Sequence, residues 1–182
     1  MRFSVLPLSA AVLLLAAGCA NGSAEGDALL REHGLQGAST QQAVETLDRT
    51  NEDRAAGLSG SVTYDEVVLT DGSAEVALPM PEDRFYLAVA PWTTTTHECF
   101  HHDLAGCQGE LVETELDVRV TDASGAVLVD EAVTTYENGF AGFWLPRDIT
   151  GTIEVSSTAG RASAPFSTTE GSPTCLTTMQ LA

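Results

Sequence analysis

Lysine is missing from this chain. Its eight basic side chains other than histidine are all arginine, set against 26 acidic ones, for a formal net charge of −18. Such a polyanion repels nucleic acid and anionic lipid headgroups, so no nucleic-acid partner is expected. Most of the acids read as a solvated surface that keeps the protein soluble. Cysteine and histidine are scarce as well, four of each. No C-x-x-C pair occurs, which argues against the common structural zinc sites. No G-x-S-x-G elbow, P-loop or dinucleotide fingerprint is present, so hydrolase, nucleotide-hydrolysing and Rossmann chemistries have no support.

What is present begins with MRFSVLPLSAAVLLLAAGCANGS. One arginine precedes an apolar run that is too short to stay in a bilayer as a spanning helix, and it reads as an export signal over residues 1–18. Ala16-Ala17-Gly18-Cys19 resembles a bacterial lipobox, in which Cys19 would be lipidated and become the new N-terminus. Residues 19–26 then read as a flexible tether. The expected location is outside the cytoplasm, either as a lipoprotein anchored through Cys19 on the outer side of the cytoplasmic membrane or in the periplasm. Loss of residues 1–18 removes one arginine and no acid, and takes the charge from −18 to −19.

Residues 27–82 read as N-terminal helices followed by a β-hairpin. Asp27 is placed to cap DALLREHGL and Gly34 to stop it. Ser39 and Gln42 form a capping-box pattern ahead of QQAVETLDRT, whose Ala43, Val44 and Leu47 share one helical face. SVTYDEVVLT and SAEVALP flank Asp71-Gly72, a hairpin signal. Residues 83–182 carry strand-like runs, among them RFYLAVA, LVETELDVRV, AVLVDEAVTTY, GFAGFWLP, GTIEVSS, RASAPFSTT and CLTTMQL. Leu116, Val118 and Val120 alternate with Asp117 and Arg119, as a strand with one dry face requires. The fold expected is mainly β with a small helical N-terminal part. It is an antiparallel β-sandwich of immunoglobulin-like or transthyretin-like type, carrying a metal-binding loop. Trp92, Phe140, Phe143 and Trp144 read as core or rim aromatics, and His33 as a helix-surface residue.

The chemistry gathers in HECFHHDLAGCQGEL, within the long connection after RFYLAVA. Long loops that are not disordered are usually functional. With Cys19 set aside, Cys99, Cys107 and Cys175 remain, and in an oxidising compartment three cysteines cannot all pair within one chain. If residues 97–101 are extended, His97, Cys99 and His101 share a face; if residues 98–102 turn, Cys99 meets His102. Gly106 and Gly109 let the chain double back toward Cys107. Cys175 joins only if its strand lies beside RFYLAVA. Three cysteines are too few for a usual iron–sulfur cluster. Soft thiolates suit Cu(I) or Zn(II), and a Cys99–Cys107 staple is a third reading, worth roughly 2.6 kcal/mol in the chain-entropy account. Copper, zinc and a disulfide-stapled structural sandwich all stay open on spacing alone, as does a thiol–disulfide redox protein.

The run Cys99-x7-Cys107-Gln108-Gly109-Glu110-Leu111, with a lone Cys175 near the C-terminus, resembles the CueP family of envelope copper-binding proteins. ALLREHGL, a second helix and the VVLTDG hairpin resemble that family's N-terminal region. The resemblance implies that Cys99, Cys107 and Cys175 hold Cu(I) and act as redox thiols; His97, His101 and His102 fall in a part of the loop that varies in the family and are read as auxiliary-ligand candidates beside them. It also implies copper tolerance, reduction of Cu(II) to Cu(I), copper supply to an envelope superoxide dismutase, and an N-terminal dimerisation region. Two thiols deliver two electrons and close a disulfide, so turnover needs a thiol–disulfide oxidoreductase partner.

Overall fold

The computed structural model describes residues 24–182. The leader, Cys19 and the tether up to Ser23 lie outside the described residues. The tether's last three residues do not extend freely: helix α1 spans Ala24–Glu32 and Gly26 is buried. Asp27 therefore sits within the first turn beside Glu25, where a negative charge complements the helix dipole, rather than capping from outside. Gly34, at φ 68°, stops the helix as its sequence position suggests. His33 does not ride the surface; its Nδ1 lies 2.5 Å from Asp53 Oδ1.

Helix α2 spans Thr40–Leu47 and opens with the expected capping box, Gln42 N–H to Ser39 Oγ and Ser39 N–H to Gln42 Oε1. Its stripe of Ala43, Val44 and Leu47 is fully buried, which supplies the partner surface that so short a helix needs. A third short helix, α3, covers Glu52–Ala55. The run SVTYDEVVLT is not one strand. Thr63 accepts from Glu66 N–H and turns the chain, so β1 (Ser59–Val62), β2 (Glu66–Thr70) and β3 (Glu75–Pro79) form a three-stranded antiparallel meander. The hairpin between β2 and β3 closes at Asp71, whose Oδ1 accepts from the Ser73 and Ala74 amides.

The remaining strands build the sandwich. One sheet has the order β10-β4-β7, from Cys175–Leu176, Arg84–Val89 and Ala141–Pro146. The other has the order β6-β5-β8-β9, from Val127–Thr134, Glu115–Asp122, Thr150–Ser157 and Gly160–Ser167, and is antiparallel throughout. The protein is thus mainly β with a small helical N-terminal part, as the sequence indicates. Two features differ from it. CLTTMQL keeps only Cys175–Leu176 as strand, and that strand pairs with β4 in parallel.

Strand β4 is buried on both faces and divides the core. Phe85, Leu87 and Val89 point into the sandwich against Leu116, Val118, Val120, Phe143, Ile153 and Val155. Tyr86, Ala88 and Ala90 point the other way, against α2, the meander, Leu104 and Phe140. The alternation of period two thus serves two hydrophobic clusters from one strand. Replacing Phe85, which has no exposed surface, by alanine is expected to cost about 3–5 kcal/mol of stability. Urea unfolding of the variant against the parent measures it.

Candidate metal centre

The connection from β4 to β5 carries three of the four central residues, and three separate ties hold it in place. The Thr174 and Cys175 amides both donate to the Phe100 carbonyl, at 2.9 and 3.2 Å. The Val62 amide donates to His102 O, and Leu104 N–H to Gly60 O, so the loop runs as an extra bridge along β1. Between these ties the buried Thr174 hydroxyl accepts from His102 N–H at 2.9 Å and donates to Val62 O at 2.7 Å.

Asp103 sets the return of the chain. Its carboxylate accepts from Gly60, Ala105 and Gly106 amides and from the Ser59 hydroxyl, and its carbonyl accepts from Cys107 N–H. Desolvation works against the charged form, but these donors prevail and hold the Asp103 carboxyl below its ordinary 3.8. Gly106 leaves room for that carboxylate; a Cβ there would meet Asp103 Cγ at 2.9 Å. Gly109 packs backbone to backbone with Gly139, where a Cβ would come within 2.5 Å of the Gly139 carbonyl oxygen. Both glycines therefore do what the doubling back of the loop demands.

A bend at Phe100–His101 decides between the two spacings that the sequence allows. Cys99 and His102 meet, and Cys107 and Cys175 join them: one ligand atom from each of the four lies within 4.8 Å of every other. His97 and His101 stand outside this group. His97 packs edge-on against Phe140 with its Nε2 buried, and His101 is exposed against Phe100. Cys175 arrives because β10 pairs with β4, Cys175 opposite Ala88.

The sulfurs are not all free. Cys99 is disulfide-bonded to Cys175, with Cα atoms 5.6 Å apart, and Cys107 is free, its Sγ 3.5 Å from that of Cys99. The staple read from the local spacing, Cys99 to Cys107, is replaced by a long-range one. A link across 76 residues restricts the unfolded chain by about 4.5 kcal/mol in the same entropy account, against roughly 2.6 for the short ring.

His102 has no exposed surface. Its Nε2 lies 2.7 Å from Asp48 Oδ1, and its Nδ1, beyond the adjacent Cys107 sulfur, has no hydrogen-bond partner among the described residues. Asp48, the C-cap of α2, is equally buried and also accepts from Asn138 Nδ2 at 2.7 Å and from the Tyr86 hydroxyl. Burial pushes the His102 pKa down, but the Asp48 carboxylate, the hydrogen bond to it and the Cys107 sulfur outweigh burial and raise it to about 9. Burial and the Asp48 charge push the Tyr86 hydroxyl well above its ordinary 10. Asp48 went unnoticed in the sequence. Its one signal is a carboxylate four residues after Val44, on the apolar stripe of α2.

The donor set fits a soft ion. A tetrahedral centre with bonds near 2.3 Å needs donors about 3.8 Å apart, a spacing compatible with the 4.8 Å limit seen here. Three sulfurs and one imidazole suit Cu(I) or Zn(II) once the disulfide is reduced.

Comparison with known proteins bears on the same region. Residues 42–180 match a family model described as "Periplasmic copper-binding protein CueP". A solved structure described as "Crystal Structure of S.CueP" is 44% identical, with a TM-score of 0.83 over 88% of this chain and 99% of that one. No curated protein matches. No helix among the described residues is long and apolar enough to cross a membrane.

Asp103→Ala is expected to destabilise the protein by about 1–3 kcal/mol, because it takes the acceptor from the part-buried Gly60 and Ala105 amides. The parent's own dependence on pH has a fixed sign. A carboxyl held below its unfolded value contributes stability above about pH 4, and that contribution fades as pH falls through the folded pKa. Thermal melts of parent and Asp103→Ala between pH 3 and 6 should therefore converge toward the acid end.

Proposed function

The chain belongs to the CueP family of periplasmic copper-binding proteins, and from that premise we propose that it holds one Cu(I) through Cys99, Cys107 and Cys175, with His102 as a fourth donor. The observation that carries this reading is the convergence of those four ligand atoms on one point from two distant parts of the chain. The arrangement favours His102 over His97 and His101 as the auxiliary ligand.

The pairing of Cys99 with Cys175 supports a redox step as well. In the reduced protein these two thiols give one electron each to two Cu(II). The products are two Cu(I), two protons and the Cys99–Cys175 disulfide. Cys107 keeps its thiol throughout. A thiol–disulfide oxidoreductase would return the disulfide to dithiol, and an envelope cuproenzyme such as a superoxide dismutase would accept the Cu(I). The lipid on Cys19 would keep this exchange at a membrane surface, and the N-terminal region would supply a dimer contact.

Zinc is the second reading, since three thiolates and an imidazole also complete a closed zinc site. A plain structural staple explains the disulfide but leaves Cys107 and the buried His102 nitrogen without a purpose.

A form beginning at Ala20 should titrate one thiol as folded and three after reduction. The reduced form should take up one Cu(I) per chain under anaerobic conditions, and X-ray absorption should report sulfur neighbours. The variant with Ser at positions 99, 107 and 175 should lose that uptake. Equal uptake by this variant, or displacement of Cu(I) by equimolar Zn(II), would overturn the copper reading. Two equivalents of Cu(II) added to the reduced parent should consume two thiols and yield two Cu(I). Peptide mapping of the oxidised parent should find Cys99 joined to Cys175 and Cys107 unmodified.

A further inference from the structure

We infer that Asp48 is a positioning residue for the metal: its carboxylate fixes the tautomer and the ring plane of His102, so that Nδ1 presents its lone pair to the three sulfurs. The inference rests on the copper reading above and names a residue outside the cysteine loop.

The argument is one of elimination and geometry. An ionised carboxylate only accepts hydrogen bonds, so the ring nitrogen facing it must carry a proton. That nitrogen is Nε2, 2.7 Å from Asp48 Oδ1. With Nε2 held in its protonated form, Nδ1 is the nitrogen that gives up its proton when a metal binds, and its lone pair is the one left for the metal. Nδ1 is buried and, beyond the adjacent Cys107 sulfur, has no hydrogen-bond partner among the described residues. A buried polar atom left unpaired costs free energy, and a metal ion among the neighbouring sulfurs would satisfy it.

Asp48 itself is not free to turn. Its own amide is tied into α2 through Val44 O, Oδ1 also takes Asn138 Nδ2, and Oδ2 takes the Tyr86 hydroxyl. Asn138 in turn receives the Phe140 amide, and the Phe140 ring lies 4.6 Å from the His102 ring. The carboxylate, the aromatic wall and the imidazole are thus held by three different elements. A carboxylate behind a ligating histidine is a general device for orienting the ring and raising its basicity, and its loss commonly weakens metal binding about 10- to 100-fold.

Asp48→Asn keeps the shape and the acceptor oxygen and removes the charge. It should weaken Cu(I) binding about 10- to 100-fold, measured by anaerobic competition with a chromophoric Cu(I) chelator. The same substitution made on top of His102→Asn should have no further effect, because the path from Asp48 to the metal is then cut. An Asp48→Asn variant with parental affinity, or an equal loss in both backgrounds, would overturn the inference and leave the copper reading intact. Absence of sulfur neighbours around copper in the parent overturns the reading itself. A measurement on the parent alone guards against misfolded variants. In the Cu(I)-loaded protein, long-range 1H–15N spectra should show His102 Nε2 protonated and Nδ1 metal-shifted. Metal on Nε2, or an unshifted ring, would sink the proposal.

Discussion

Two amides on one carbonyl hold this centre together. Thr174 and Cys175 both donate to Phe100 O, and that junction joins the cysteine loop to a strand more than seventy residues away in sequence. Each bond is worth only about 1 kcal/mol net. They act as a pair beside the Thr174 hydroxyl, which spans His102 and Val62, and beside the parallel pairing of β10 with β4. The local turn at Asp103 shapes the loop by itself, whereas the meeting of Cys99 with Cys175 that the disulfide seals needs this junction and the strand pairing behind it. The site is therefore a product of long-range backbone pairing more than of the cysteine loop's own preferences.

That division explains what could be read in the residues alone. Local chemistry was legible: the Ser39–Gln42 box, the Asp71-Gly72 turn, the alternation of Leu116, Val118 and Val120, and the gathering of rare ligands between His97 and Cys107. Each is set by neighbours within a few positions. The choice of His102 over His97 and His101 was not legible, because an extended chain and a bend use the same residues and only tertiary ties select the bend. The disulfide partner was not legible either. Cys99 and Cys107 are close in sequence, whereas Cys175 becomes a partner only through a parallel strand pairing that no local pattern announces. The split of SVTYDEVVLT into two strands turned on a single threonine, Thr63, bonding back to Glu66.

Asp48 shows a different kind of concealment. In a list of acidic residues it is one among 26, and an acidic protein invites the reading that all of them are solvated. Only its place on the buried stripe of α2 sets it apart. Its burial is tolerable because three donors from separate elements converge on it; a buried charge without such partners would cost several kcal/mol. The helix that precedes the meander thereby reaches into the centre built by the sandwich, and the hydrophobic cluster joining α2 to Tyr86, Ala88 and Phe140 supports the same contact.

Burial is uneven across the four donors. Cys175 and His102 are enclosed, while Cys99 and Cys107 are only partly so. The centre consequently has a front and a back. Cys99 and Cys107 are the donors open to solvent, and Cys175 and His102 are shielded from it. The same asymmetry would let a small oxidant reach Cys107 before it reaches anything behind it.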